Sequence, residues 1–186
     1  MLILGTVASS HDPATPTYDL IATASVTDSA GQLEIEFTSI PSTYTDLIIK
    51  SSTRSLSDTV TVYGKFNNTT ANLENFNFFG ASGSIGSEAL TGSFYSYGSV
   101  AKSPATSNTF ANATYYIPNY AGSTFKMIQA ESTNENNSTS VTQQHMSLMG
   151  AIWKDTAAIN RITLYLGGAF KFAQHSSIRL YGILKK

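Results

Sequence analysis

The chain of 186 residues contains no cysteine. That excludes disulfide staples and thiolate metal sites, and it fixes nothing about compartment. Charge is also scarce: 11 Lys and Arg stand against 12 Asp and Glu. The charged fraction of 12% is about half that of an ordinary soluble domain. A net charge of -1 gives nucleic acid no electrostatic handle. No run approaches the ~20 apolar residues that span a bilayer, so no membrane insertion is expected. The start, Met1-Leu2-Ile3-Leu4-Gly5, is apolar but lacks the basic flank of a signal peptide. Helical periodicity is missing from every window of ten residues or more.

Groups suited to chemistry are equally sparse. His11, His145 and His175 are scattered, and none has ligand spacing to another His, Asp or Glu. No Gly-x-Ser-x-Gly elbow gives the many serines a catalytic setting. Glu34 and Glu36 alternate onto one solvent face, which reads as surface and not as a glycosidase acid pair. Gly80, Gly83 and Gly86 mimic a phosphate loop in spacing, but no Lys follows and no helix opens there, so they read as a flexible loop. Trp153, the one tryptophan, ends an apolar strand and reads as core. The expectation is a protein without enzymatic activity, cofactor or metal.

What the chain has is hydroxyl groups, amides and strand patterns. Roughly a quarter of the residues are Ser or Thr. Such a surface suits close packing against neighbours, because few charges need desolvation. Thr is also simply a good strand former. Period-2 patterns recur at Tyr18 to Thr27, Gln32 to Ser39, Leu47 to Thr53, Thr59 to Phe66, Phe110 to Ile117, Thr124 to Ser132, Val141 to Trp153, Ile159 to Leu166 and Ser176 to Leu184. In the second of these, Leu33, Ile35 and Phe37 share one face. Turn residues fall about every ten positions, the signature of a sandwich or barrel. The predicted fold is all-β: an antiparallel, jelly-roll-like β-sandwich over residues 18-186, preceded by an extended arm over residues 1-17.

Between Asn67 and Pro104 the chain is rich in Gly and Ser. It also carries Phe76, Phe78, Phe79, Phe94, Tyr95 and Tyr97, too many aromatics for a solvated loop. Short strands at Glu74 to Phe79 and Ser93 to Tyr97 would account for some of them. Two further patterns mark the ends of the fold. In Ile40-Pro41-Ser42-Thr43-Tyr44, Pro41 fixes a turn that directs Tyr44 back onto the sheet, its hydroxyl bonding backbone. In the last strand Ile178, Leu180 and Leu184 share a face with Gly182, which leaves space for a bulky neighbour. Tyr181 and Ile183 form an apolar pair on the opposite, nominally outer face. Interface candidates are therefore Leu2, Ile3 and Leu4 of the arm, Phe76, Phe78, Phe79, Tyr95 and Tyr97 of the aromatic region, and Tyr181 and Ile183. Glycan binding has its ingredients in Tyr95, Tyr97, Tyr116 and Tyr120 with Asn67, Asn119 and Asn136.

Several pieces also resemble, in order and spacing, small jelly-roll virion structural proteins of tailed bacteriophages, particularly phages of aquatic bacteria and cyanobacteria. They are Leu4-Gly5-Thr6-Val7-Ala8-Ser9-Ser10, the Phe37 to Leu47 junction with Arg54, Phe66-Asn67, Ile117-Pro118-Asn119-Tyr120, Trp153, Ala157-Ala158-Ile159, Ile162, Gly168 with Phe170, and Leu180-Tyr181-Gly182-Ile183. The resemblance implies a homotrimer on the exterior of a phage particle. Its role would be a head decoration (cement) protein bound to the major capsid protein or another virion protein. The alternative it implies is a tail-fibre or tail module that binds a host surface glycan.

Overall fold

The computed structural model describes residues 18-81, 84-134 and 145-184. The expected arm over 1-17, with Leu2, Ile3 and Leu4, lies outside them. Twelve strands are present among the described residues, and no helix is. They are β1 (Tyr18–Ser25), β2 (Glu34–Phe37), β3 (Asp46–Thr53), β4 (Val62–Phe66), β5 (Leu73–Ala81), β6 (Ser84–Thr91), β7 (Phe94–Ser96), β8 (Ala111–Ile117), β9 (Lys126–Asn134), β10 (His145–Trp153), β11 (Ile162–Tyr165) and β12 (Ser177–Ile183). All named pairs are antiparallel.

One sheet has eight strands in the order β1-β12-β3-β8-β9-β10-β5-β6, and the other has four in the order β2-β11-β4-β7. They pack as a β-sandwich. The eight-plus-four division is broader than an eight-stranded jelly roll. The core between the sheets includes Ile35, Leu47, Ile49, Phe66, Phe94, Tyr115, Ile128, Trp153 and Leu180.

Two expectations need correction. Leu33 does not join Ile35 and Phe37 in the core: it is 47% exposed, because Gln32 bonds Phe172 and β2 begins only at Glu34. Among its described residues, the Gly/Ser-rich stretch is largely strand and not one long loop. Gly80 lies in β5 and Gly86 in β6, and the β5–β6 ladder runs from Glu74↔Thr91 to Ala81↔Ser84. Backbone pairing supplies the order there, so small side chains suffice.

The pieces that carried the resemblance converge on structural roles. A Cβ on Gly182 would lie 2.3 Å from Cγ of Tyr44, so the glycine of the last strand is the seat of the tyrosine of the Pro41 corner. The Tyr44 hydroxyl reaches a carboxylate, Asp19 Oδ2 at 3.4 Å, not the expected backbone group. At the same junction the Tyr120 hydroxyl donates to the Pro41 carbonyl, and Ile159 N donates to Tyr120 O at 2.9 Å. Asn67, in a left-handed conformation (φ 47°), donates from Nδ2 to Ala158 O at 2.8 Å and accepts from Asn160 N at 3.0 Å. Asn68, Asn72, Asn108 and Asn119 also have positive φ, so asparagine serves this chain as a turn residue.

Arg54, just past the end of β3, donates to the carbonyls of Ser103, Ala105, Thr106 and Thr109 at 2.8–3.0 Å. A planar guanidinium can satisfy four carbonyls at once and an ammonium cannot. Arg54→Lys should therefore cost about 2 kcal/mol. Protease cleavage within residues 103-109 of that variant, at a rate unchanged from wild type, would refute this role.

Gly182→Val should cost on the order of 2 kcal/mol, because Tyr44 has to leave its seat. With Tyr44→Ala the two losses should be less than additive in a denaturation double-mutant cycle. Full additivity would show that the two residues are not coupled.

Candidate functional site

The two outer faces of the sandwich differ. That of the four-stranded sheet is polar and paired. Arg161 forks onto Glu36 at 2.6 and 2.7 Å, and Thr163 Oγ1 adds a bond to the same carboxylate at 3.0 Å. The Arg161 guanidinium holds the Glu36 carboxyl below its usual range. Lys65 pairs with Glu34 at 3.3 Å and lies over the Tyr165 ring. Tyr63 stacks between Tyr95 and Tyr165. Each group there has its neighbour within the chain.

The outer face of the eight-stranded sheet is bare and apolar at the β5–β10–β9 end. Phe76, Phe78, Met127, Met146 and Leu148 are 48–62% exposed. The alternation is inverted, because the opposite side of the same strands buries polar residues. Asn75, Asn77, Ser132, Asn134, His145 and Ser147 are each 8% exposed or less. This inward layer is tied to the β7 region. Ser132 and Ser147 Oγ both donate to Tyr97 O, at 2.6 and 2.7 Å, Asn134 Nδ2 to Val100 O, and Asn75 Nδ2 to Ser93 O. Buried amides need partners inside the chain, while contiguous exposed apolar side chains are the feature that marks contact surfaces.

The register can be followed across the whole sheet. Ala89, Phe76, Gly150, Gln129, Tyr116, Ile48, Tyr181 and Leu20 are opposed in one row over all eight strands. Gly150 interrupts the side chains of that row, and a Cβ there would meet nothing within 4 Å. The gap is the floor of a trench of about 440 Å³ between Phe76, Leu90, Met127 and Ile152. A second groove opens on the other side of Gly150, toward Tyr116 and Pro118. Tyr116 donates to Asp46 Oδ2 at 2.8 Å, a bond that holds its proton and pushes its pKa up. Covering the exposed half of five such side chains is worth on the order of 5 kcal/mol before association costs.

The sequence candidates divide between these places. Phe76, Phe78, Tyr181 and Ile183 share the outer face of the large sheet. Phe79 points the other way and stacks on Tyr97 at 4.6 Å. Tyr95 is 3% exposed, with its hydroxyl donating to Glu88 at 2.6 Å. Those three aromatics pack within the chain, Tyr95 buried and Phe79 and Tyr97 half-buried. Nor are the glycan ingredients gathered: Tyr120 is buried, Asn67 and Asn119 are bonded within turns, and Asn136 lies outside the described residues. The sequence reading missed Met127, Met146 and Leu148. On β10 both alternate sets contain apolar residues, so period 2 alone does not say which set faces inward.

Among the described residues no three His, Asp or Glu are placed to hold a metal ion. No protein-family model, curated protein or solved structure matches the chain.

His145 sits in the inverted layer, edge-on to Tyr97 at 5.2 Å. Burial, aided by the charge of Lys102, lowers its pKa from 6.5. The unfolded chain thus takes up the proton first. Stability should fall as pH drops through 6.5 and go on falling until the lower folded-state value is reached. Glu36 adds a separate loss only below 4.5. In urea titrations from pH 7.5 to 5, His145→Gln should flatten this slope, and an unchanged slope would exclude His145 as its source.

Proposed function

We propose that the protein is a non-enzymatic structural protein that works by docking, and that its setting is a phage particle. The particular role is a capsid decoration protein that acts as a homotrimer and grips the shell. The observation that carries the docking part is the inverted end of the large sheet, with apolar side chains outside and amides and hydroxyls inside. Low charge agrees with this, because few groups would have to be desolvated when the face is covered. The virion setting rests on the resemblance of the Pro41 corner, the Asn67 and Tyr120 turns and the final strand.

Purified protein should form trimers and bind undecorated capsids. Phe76→Ser with Phe78→Ser should weaken association at least about tenfold while shifting thermal stability little, since both rings are half exposed. Sedimentation and capsid pull-down together measure this. A double variant that assembles like wild type refutes the outer face as the docking surface. Glycan-array binding without capsid binding would favour the tail-module alternative.

A further inference from the structure

The proposed docking face needs an occupant, and the chain carries a matching one. We propose that the Leu2-Ile3-Leu4 segment of one copy seats in the Gly150 trench of the next copy, so that each copy donates this segment to a neighbour. This rests on the assembly reading above and names its partner surface.

Three observations support it. The trench is apolar and built around a missing side chain, as a receptor for large aliphatic residues would be. Residues 1-17 join the fold at Tyr18, on the β1 edge, where Tyr18 and Leu20 are 53% and 57% exposed. The trench lies near the opposite edge. From the outer strand β6 to Gly150 on β10 is two strand spacings, about 10 Å, whereas from β1 of the same chain it is five, about 24 Å. A head-to-tail arrangement sets the β1 edge of one copy beside the β6 edge of the next and shortens the crossing. Such contacts close into rings when the rotation permits. Fourteen positions separate Leu4 from Tyr18. Their maximum span of about 46 Å covers both the trans path and the longer path within one chain, and thiol pairing separates the two.

The chain has no cysteine, so single thiols can be introduced cleanly. Full-length Ile3→Cys protein carrying a mass tag is mixed with Ala89→Cys protein and oxidised mildly. Ala89 is exposed on β6 opposite Phe76, beside the trench. The expected result is a tagged heterodimer formed at least about tenfold faster than with Asp58→Cys, an exposed control away from the face. Gly150→Phe fills the trench and should abolish that excess with circular dichroism unchanged. An Ile3→Cys, Ala89→Cys double variant that closes only within one chain overturns the exchange, as does a heterodimer no faster than the control. Trimers that persist without residues 1-17 overturn this inference alone. A wild-type protein that stays monomeric at every concentration overturns the assembly reading with it.

Discussion

Holding a narrow sheet face to face with a wide one depends on a column of aromatic rings between them. Trp153 and Tyr115 come from the eight-stranded sheet, and Phe66 and Phe94 from the four-stranded one. Their centroids step from Trp153 to Phe66 at 5.7 Å, to Phe94 at 5.1 Å and to Tyr115 at 6.2 Å. All four are 1% exposed or less. Each such contact is worth about 1 kcal/mol beyond its buried area. The column exists because Gly64 has no side chain: a Cβ there would lie 2.0 Å from the Phe94 ring. With the centre filled by rings, the strands at either end can depart from ordinary patterning.

The departure at the β5–β10–β9 end follows from what lies beneath it. The β7 segment of three residues leaves backbone carbonyls at Ser93, Tyr97 and Val100 facing the large sheet, and a buried carbonyl needs a donor. Asn75, Ser132, Asn134 and Ser147 supply those donors, so they have to point inward. Strand geometry then sends their neighbours outward, and the neighbours are Phe76, Met146 and Leu148. Satisfying these carbonyls accounts for four of the six inward polar residues, and Asn77 donates to Asn75. This inward bonding does not require the outward set to be apolar, since Thr or Lys would serve as well at those positions. The large apolar side chains there are thus a feature in excess of folding, and that is why we assign them to an external contact.

Much of the architecture was legible in advance. Nine strand patterns lie close to where alternation placed them, because one-sided burial writes period 2 into the sequence, and the short strands expected from the aromatics fall on β7 and on the nine-residue β5. The junction of Tyr44 with Gly182 was visible as two separate needs, a ring lacking a cover and a glycine keeping a space. Their meeting was not, since 138 positions separate them in sequence and only the β3–β12 pairing brings the corner over the last strand. β6 was invisible because its order comes from β5 and not from its own side chains. The site was half legible. Phe76-Asn77-Phe78 showed alternation clearly, yet the ordinary assumption that phenylalanine faces the core would invert it. Only Asn75 and Asn77, fully enclosed, establish which way the strand faces.

The two outer faces also differ in charge. With 23 charged side chains, the protein places Glu34, Glu36, Lys65 and Arg161 together on the small sheet and pairs them there. On the large sheet, the row through Phe78 and Leu148 reaches Glu131 on β9, then Thr114, then Lys50 and Arg179 beyond it. Charge is thus gathered toward the β1-ward part of the face, starting at Glu131 beside Leu148, and the outer sides of β10, β5 and β6 carry only Glu74, which Lys154 holds at 2.6 Å. A surface graded in this way has a direction. It favours contacts that join one edge to the other over contacts that stack a face on itself, because stacking would press Lys50 and Arg179 against apolar rings and desolvate them without partners. A head-to-tail contact between edges avoids that cost, which is why the proposed assembly joins edges and does not stack faces.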